Sequence, residues 1–499
     1  MYIDYFIIAL KNIFLPVSLL AISIGVTLGI IAGALPGIST QMAIILLLPL
    51  TFGLDPKIGL PMLMAVYCGG MFGGSISAIL FHTPGTPAAA ATCLDGYPMA
   101  RKGQGGRAIG FALVASFIGG TFSAVVLFFV APPLARIALI FGPPEYFALG
   151  LLGLSLIGTL VQENWIKGLL SGIIGLLISI VGSDLITGNS RFTFGHIELL
   201  TGIPLVILVI GLFSISQVLV IMEEKIEKKS LEKLSGRIFP TFEELKKLIY
   251  TILRSSIIGT WVGIVPGTGG DLASWASYNE AKRNSKTPEL FGTGIPEGVV
   301  APEAANNAVT GGALVPLLTL GIPGSAATAI LLGGFFIHGL RPGPSFITEN
   351  GELAYTLMLS LFIANLMVLI IGSIIGKGCR YIINVKDELI VPFIVILCVV
   401  GAYAINNSMF DVGLMFIFGL FGYAMKKLNF PAAPMVLGLI LGPLTENGLV
   451  QSLLISRGSW LIFISRPFSL ILLSIAIFSL INAIYKDSTK YKVKSLKNK

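Results

Sequence analysis

The feature that most constrains this chain is the recurrence of apolar runs, each about 20 residues long, along nearly its whole length. As a helix, such a run spans roughly 30 Å, the thickness of a bilayer's hydrocarbon core. Runs of this kind cover residues 13–35, 57–80, 106–130, 146–160, 166–187, 201–222, 247–265, 354–376, 386–405, 408–425 and 464–485. Of the 499 residues, 55% are hydrophobic and 12% are charged, where soluble domains carry roughly 25% charged. A water-soluble protein cannot bury that much apolar surface and still cover itself with polar groups. The expected solvent is a lipid bilayer.

Shorter apolar pieces lie between these runs, at about 38–53, 84–94, 267–278, 304–320, 323–340 and 430–455, and Gly and Pro break them. Each is too short or too interrupted for a plain span. They read as half-helices or re-entrant hairpins, which are tolerated at membrane depth only where buried in protein or lining a cavity. The expected fold is an all-α polytopic membrane protein with about 11–14 membrane segments.

The N-terminus has no basic region before its first apolar run, so 13–35 reads as a retained span rather than a cleaved signal. The four cysteines (Cys68, Cys93, Cys379 and Cys398) form no CxxC pair, and His82, His196 and His338 are scattered. Neither set suggests a metal site. The net charge of +8 gathers in loops and in the tail: Arg101, Lys102 and Arg107; Lys225 to Lys247; and Lys486 to Lys499. By the positive-inside rule these clusters are cytoplasmic. They read as topology signals and not as a nucleic-acid surface.

The basic stretch also divides the chain: an N-terminal half at 1–222, a charged linker at 223–247, a C-terminal half at 248–485 and a basic tail at 486–499. Each half repeats one device. Gly33-Ala34-Leu35-Pro36-Gly37 closes a span in the first, and Gly263-Ile264-Val265-Pro266-Gly267 closes one in the second. A second Pro-Gly then opens a run of small residues, Pro84-Gly85-Thr86 in one half and Pro323-Gly324-Ser325 in the other. Corresponding Gly/Pro-interrupted segments in two halves point to a transporter binding site. Inverted repeats with an elevator-like movement are the expected arrangement.

A carrier must hold an anion at the bilayer midplane, where a fixed cation is costly. A helix N-terminus offers free N–H groups and partial positive charge. Pro presets its first turn, and Gly admits close approach. Pro84, Gly85, Thr86, Pro323, Gly324 and Ser325 are therefore candidate carboxylate ligands. The bland alternative is a kinked helix packed in the core. Asp271 follows the flexible Pro266-Gly267-Thr268-Gly269-Gly270 and is either a cation ligand, with Gly267 and Thr268, or a helix cap. In the first half Gly37 and Thr40 occupy the corresponding place. That loop, Pro36-Gly37-Ile38-Ser39-Thr40, has no aspartate. Asn306 and Asn307 bind solute or ion, or tie helices together. Pro302 and Glu303 suit a helix start, and Glu303 reads there as a loop-exposed acid or a pathway group. Ser75 and Ser77, on a glycine-rich face, are further pathway candidates. Asp95 reads as a structural residue in a turn at the membrane edge.

At this point the sequence resembles a known family, the large membrane subunits of tripartite tricarboxylate transporters. The strings that carry the resemblance are GALPGIST (33–40), LLPLTFGLDPKIGLPML (47–63), GGMFGGSISAILFHTPGTPAAAATCLDGYPMARKG (69–103), the stretch 265–334 from VPGTGGDLASW to AILLGG, and FPAAPMVLGLILGP (430–443). The resemblance implies a smaller four-helix membrane partner subunit, a periplasmic solute-binding protein, a small carboxylate substrate, and coupling to sodium or protons with no other cofactor. It also implies residence in a bacterial inner membrane, where the charge rule places the tail on the cytoplasmic side. Two rival readings remain. One is an intramembrane aspartyl protease, which would need a second embedded carboxylate beside Asp271. The other is a passive anion channel, which would need a ring of filter groups. No GxxxxGK[ST] loop for nucleotide-driven pumping is present.

Overall fold

A computed structural model describes residues 2–35, 38–160, 165–184, 188–223, 239–383, 387–479 and 481. Pro36, Gly37, the core of the basic linker and the basic tail lie outside these residues. So does the expected role of Gly37 as a cation ligand.

In chain order the helices are α1 (Tyr2–Ile13), α2 (Pro16–Ala34), α3 (Thr40–Leu47), α4 (Pro56–Phe81), α5 (Cys93–Met99), α6 (Gly105–Ala138), α7 (Pro143–Leu160), α8 (Trp165–Ser179), α9 (Leu205–Val209) and α10 (Ser216–Glu223). They continue with α11 (Phe242–Ile264), α12 (Gly269–Asn284), α13 (Glu297–Leu320), α14 (Ala326–Ile337), α15 (Phe346–Glu349), α16 (Gly351–Ile383), α17 (Asp387–Asn406), α18 (Met409–Lys427), α19 (Ala432–Ile455) and α20 (Ile462–Ser465). Strand is confined, among the described residues, to a short antiparallel pairing of Gly182–Ser183 with Ser190–Arg191. Seven helices there are long and apolar enough to cross a membrane. Large apolar side chains such as Leu20, Phe129, Trp261 and Phe393 stand exposed on outward faces, as a lipid-facing surface requires.

Local chemistry sets the helix ends. Asp55 caps α4 by accepting the Lys57 N–H at 2.8 Å, with Pro56 opening the first turn. Thr241 and Glu244 form a reciprocal capping box at the start of α11. Gly321, in the left-handed conformation, ends α13.

The run 13–35 forms the single apolar helix α2, opened by Pro16, with α1 as a separate helix before it. Two expectations change. Segments 304–320 and 430–455 are continuous parts of α13 and α19, despite internal Pro302, Pro316 and Pro443. An interior proline gives up its own N–H bond and crowds the carbonyl four residues back; in α13 packing on all sides offsets that loss. Glu303 is therefore neither a helix start nor loop-exposed: it lies in the second turn of α13 and is fully buried.

The chain divides into two compact units, Met1–Arg136 with Phe213–Met409, and Ile137–Leu212 with Phe410–Lys499. Each unit is made of two separate stretches of the sequence. In the second, α19 packs against α7 and α8, and Arg466 reaches the buried Glu145 at 3.1 Å. The first unit is built around α4 and α13. Every residue from Gly59 to Ile79 and from Gly298 to Thr319 is buried. Helix α2 lies along α4, and α11 lies along α13.

Both pairings are made by glycines, and they correspond position for position. Gly29 rests on the Val66 carbonyl, as Gly259 rests on that of Ala305. Gly33 lies on Gly70, as Gly263 lies on Val309. From the other side, Gly73 lies on Ile30 as Gly312 lies on Thr260. Each of these residues is separated from its counterpart by a constant step within its helix. A Cβ at any of them would collide with backbone of the facing helix, so small residues set the close approach. The contacts of Gly29, Gly33 and Gly73 are thus repeated by Gly259, Gly263 and Gly312.

Candidate substrate and cation site

The two Pro-Gly tips extend the same correspondence. After α4, His82 turns the chain in the left-handed conformation, and the Gly85 N–H donates to the Gly74 carbonyl at 3.3 Å. A side chain on Gly85 would strike the Gly33 carbonyl. After α13, Gly324 sits against the Gly263 carbonyl, and its own carbonyl accepts the Gly267 N–H at 2.9 Å.

Beyond the tips the halves diverge. Pro323-Gly324-Ser325 leads into α14, whose first turn Ser325 and Thr328 cap reciprocally. Thr86 leads only into a single 3-10 turn, Pro87–Ala89, before α5 begins at Cys93. A helix N-terminus therefore follows the second tip and not the first. Pro323, Gly324 and Ser325 are buried, whereas Pro84 and Pro87 are exposed and Gly85 is half-buried.

Each tip meets the opposite half. The 3-10 turn packs against α12, and α3 packs against α14. The Ser274 hydroxyl donates to the Ala88 carbonyl at 2.6 Å. The Tyr67 hydroxyl of α4 lies 3.2 Å from the Ser325 Oγ. The residue of α13 that corresponds to Tyr67 is Asn306. Its Nδ2 donates to the Met71 carbonyl at 3.4 Å, and its Oδ1 is buried without a hydrogen-bond partner.

Asp271 lies in the first turn of α12, exposed, with Thr268 at the cap position. It is thus not the cap. Its carboxylate folds back toward Gly269. The Thr268 hydroxyl donates to the Val262 and Val265 carbonyls. Gly267 and Gly269 both have positive φ, so this loop uses glycine where other residues would be strained. Thr40 is buried in the first turn of α3. Its Oγ1 faces Gly70 and has no partner.

The remaining candidates point elsewhere. Ser75 and Ser77 donate to carbonyls of their own helix, at 2.7 and 3.3 Å, although Ser77 also borders Gly85. Glu303 accepts from the Thr92 hydroxyl at 2.6 Å and from Ser116 at 3.3 Å. Asn307 donates to Ser116 at 2.8 Å and so faces α6. Asp95 is no edge turn: it is fully buried in α5. Its carboxylate accepts the N–H groups of Gly292, Gly294 and Ile295 and the Tyr278 hydroxyl. Gly292 and Gly294 both take positive φ, which lets this loop fold its N–H groups around the carboxylate.

A multi-pass helical core whose duplicated, glycine-packed halves cross at broken tips is the architecture of a membrane transporter. The family described as the Tripartite tricarboxylate transporter TctA family matches residues 19–437, and the chain belongs to that family. It is 37% identical over 470 residues to an uncharacterised 52.8 kDa protein of the TAR-I ttuC' 3' region of Agrobacterium vitis, covering 94% of this chain and 93% of that protein. It is 38% identical over 227 residues to an uncharacterised protein of the TAR-II ttuC' 3' region of the same organism, covering 45% of this chain and 93% of that one. No solved structure matches it.

Proposed function

We propose that the chain is the permease subunit of a secondary transporter that imports a di- or tricarboxylate, of which citrate is the type, into a bacterial cell across its inner membrane. A periplasmic binding protein delivers the solute, a small four-helix subunit completes the membrane complex, and a cation gradient, sodium or proton, drives uptake. Family membership supports the transporter class and its tripartite setting. The observation that carries the reading is the pair of Pro-Gly tips, each seated on the glycine carbonyl of its own half and packed against the other half. Solute carboxylates are received between the tips, by the backbone at Gly85 and Gly324 and by Ser325 at the start of α14, where the helix dipole favours anions. The cation lies toward the first turn of α12, where Asp271 supplies negative charge and Gly267 and Thr268 supply oxygens. Chemistry on the substrate has no part in this reading.

The test is complementation. Cells lacking their own carboxylate uptake are given this chain with its binding protein and small subunit, and labelled citrate, malate and tartrate are offered in turn. Accumulation of one of them that requires all three components supports the reading. No accumulation of any, with the chain present in the membrane, contradicts it.

A further inference from the structure

The backbone of α2 and α4 corresponds to that of α11 and α13 as far as the two tips, yet the correspondence fails in one pair of side chains. Thr86 corresponds to Ser325, and Asn306 corresponds to Tyr67. On one side the pair is closed, with Tyr67 and Ser325 3.2 Å apart and Ser325 also bonded to Thr328. On the other side both members are left open. The Thr86 Oγ1 and the Asn306 Oδ1 are buried, in residues 3% and 0% exposed, and neither has a hydrogen-bond partner. The asparagine is shorter than the tyrosine it replaces, so the contact that closes one tip is not made at the other.

These atoms lie around one turn of α4 and the first turn of α12. The Thr86 Oγ1 lies against Gly74. Asn306 is tied to Met71, and its Oδ1, the Met71 side chain and Ala88 together surround Gly270 in the first turn of α12. The unpartnered Thr40 Oγ1 lies against Gly70, one turn before Gly74. Buried polar atoms left without partners cost free energy, so two against this turn of α4 and a third against the first turn of α12 mark a place built for an occupant.

The chemistry of the atoms selects the occupant's class. The amide Nδ2 of Asn306 is already donating, which leaves an oxygen that only accepts. A carboxylate brings acceptors alone and cannot satisfy it. A cation can. The ligands are neutral amide and hydroxyl oxygens, which suit a hard monovalent ion; divalent ions draw on carboxylates. Asp271, next to Gly270, adds a single negative charge nearby, while Glu303 is engaged by Thr92 and Ser116. We propose that the Asn306 Oδ1 and the Thr86 Oγ1, flanked by Thr40, hold a sodium-sized monovalent cation, and that the second tip has no equivalent site. This rests on the permease reading and adds an ion-holding role to the first tip, beside the solute received between the two tips.

The test is direct binding of radioactive sodium to the purified full chain in lipid nanodiscs, with choline as the balancing ion, alongside carboxylate uptake by the same variants. Wild type binds sodium saturably. Thr86→Val, nearly isosteric, weakens binding by roughly tenfold or more, as loss of one ligand to a small ion does. Asn306→Asp keeps the oxygen, adds charge and binds at least as tightly, which also guards against misfolding as the cause of any loss. Ser325→Ala, the corresponding change at the other tip, leaves the sodium affinity unaltered. Binding in Thr86→Val equal to wild type, equal loss in Ser325→Ala, or no sodium binding by wild type overturns the proposal. If uptake proceeds while sodium binding ignores Thr86, the ion site is wrong and the permease reading stands. If sodium binding follows Thr86 but no carboxylate is ever carried, the site stands and the permease reading falls.

Discussion

Gly85 lies directly on the carbonyl oxygen of Gly33, with no room between them for a side chain. The contact joins the tip after α4 to the end of α2, two segments that the sequence separates by a whole membrane span. Gly324 and Gly263 make the same contact in the second half.

Replacing either tip glycine by alanine places a methyl group against rigid backbone. Overpacking of this kind costs about 1–3 kcal/mol, and the tip must shift to relieve it. Gly85→Ala and Gly324→Ala are each expected to lower the thermal unfolding midpoint in detergent and to reduce uptake. Gly53→Ala, where a Cβ meets nothing within 4 Å, is expected to leave both unchanged. Equal behaviour of all three variants would count against the tip geometry.

Asp95 ties α5 to the loop that precedes α13, through three backbone N–H groups and Tyr278. Removing the buried carboxylate leaves these donors without their partner. Asp95→Ala is expected to destabilise by roughly 3 kcal/mol or more, and Tyr278→Phe by about 1 kcal/mol, following the usual worth of hydrogen bonds to charged groups. A chemical denaturation series on the detergent-solubilised chain reads the difference. Near-equal effects of the two changes would show that the backbone donors find other partners.

Glu244, at the N-terminal end of α11, accepts the Thr241 N–H at 2.7 Å and also pairs with Arg107. The backbone bond first, and then the guanidinium, hold its carboxyl below the usual carboxylate range. These partners favour the charged form, so the stabilisation is fully present above the ordinary carboxylate pKa. It is lost as pH falls through the lowered folded value. The midpoint of Glu244→Gln is therefore expected to lie below wild type near pH 7 and to converge with it in acid. Divergence in acid would reverse the sign of the account.

Pro87 is exposed beside the first tip, whereas Ala327, beside the second, is buried. Cysteines placed at these two positions in a background without native cysteines are expected to differ: Pro87→Cys reacts with a membrane-impermeant maleimide, and Ala327→Cys does not. Rapid labelling of the second and protection of the first would mean that the opposite tip is the open one.

The parts of this architecture that backbone geometry dictates were legible in the sequence. Pro-Gly at 84–85 and 323–324 could be read because close approach of two backbones leaves a compositional trace. The spans could be read because lipid demands long apolar runs. Glu303 was misread because Pro302 resembles a helix start, and only the packing around α13 shows that the helix begins six residues earlier, at Glu297. The partners of Asp95 and the open oxygens of Thr86 and Asn306 left no local signal. They arise where segments distant in the chain are brought together, and an unpaired atom has no signature in composition or spacing.

The central claim is gradient-driven carriage of a carboxylate, and proteoliposomes test it most directly. The chain and its small subunit are reconstituted, the binding protein is placed outside, and labelled citrate uptake is followed with and without an inward sodium gradient, in wild type and in Asp271→Asn. The account predicts accumulation above the equilibrium level in wild type under the gradient, and its loss in Asp271→Asn. Uptake that only equilibrates, indifferent to any cation gradient across sealed vesicles and to residue 271, would contradict it and describe a passive pore.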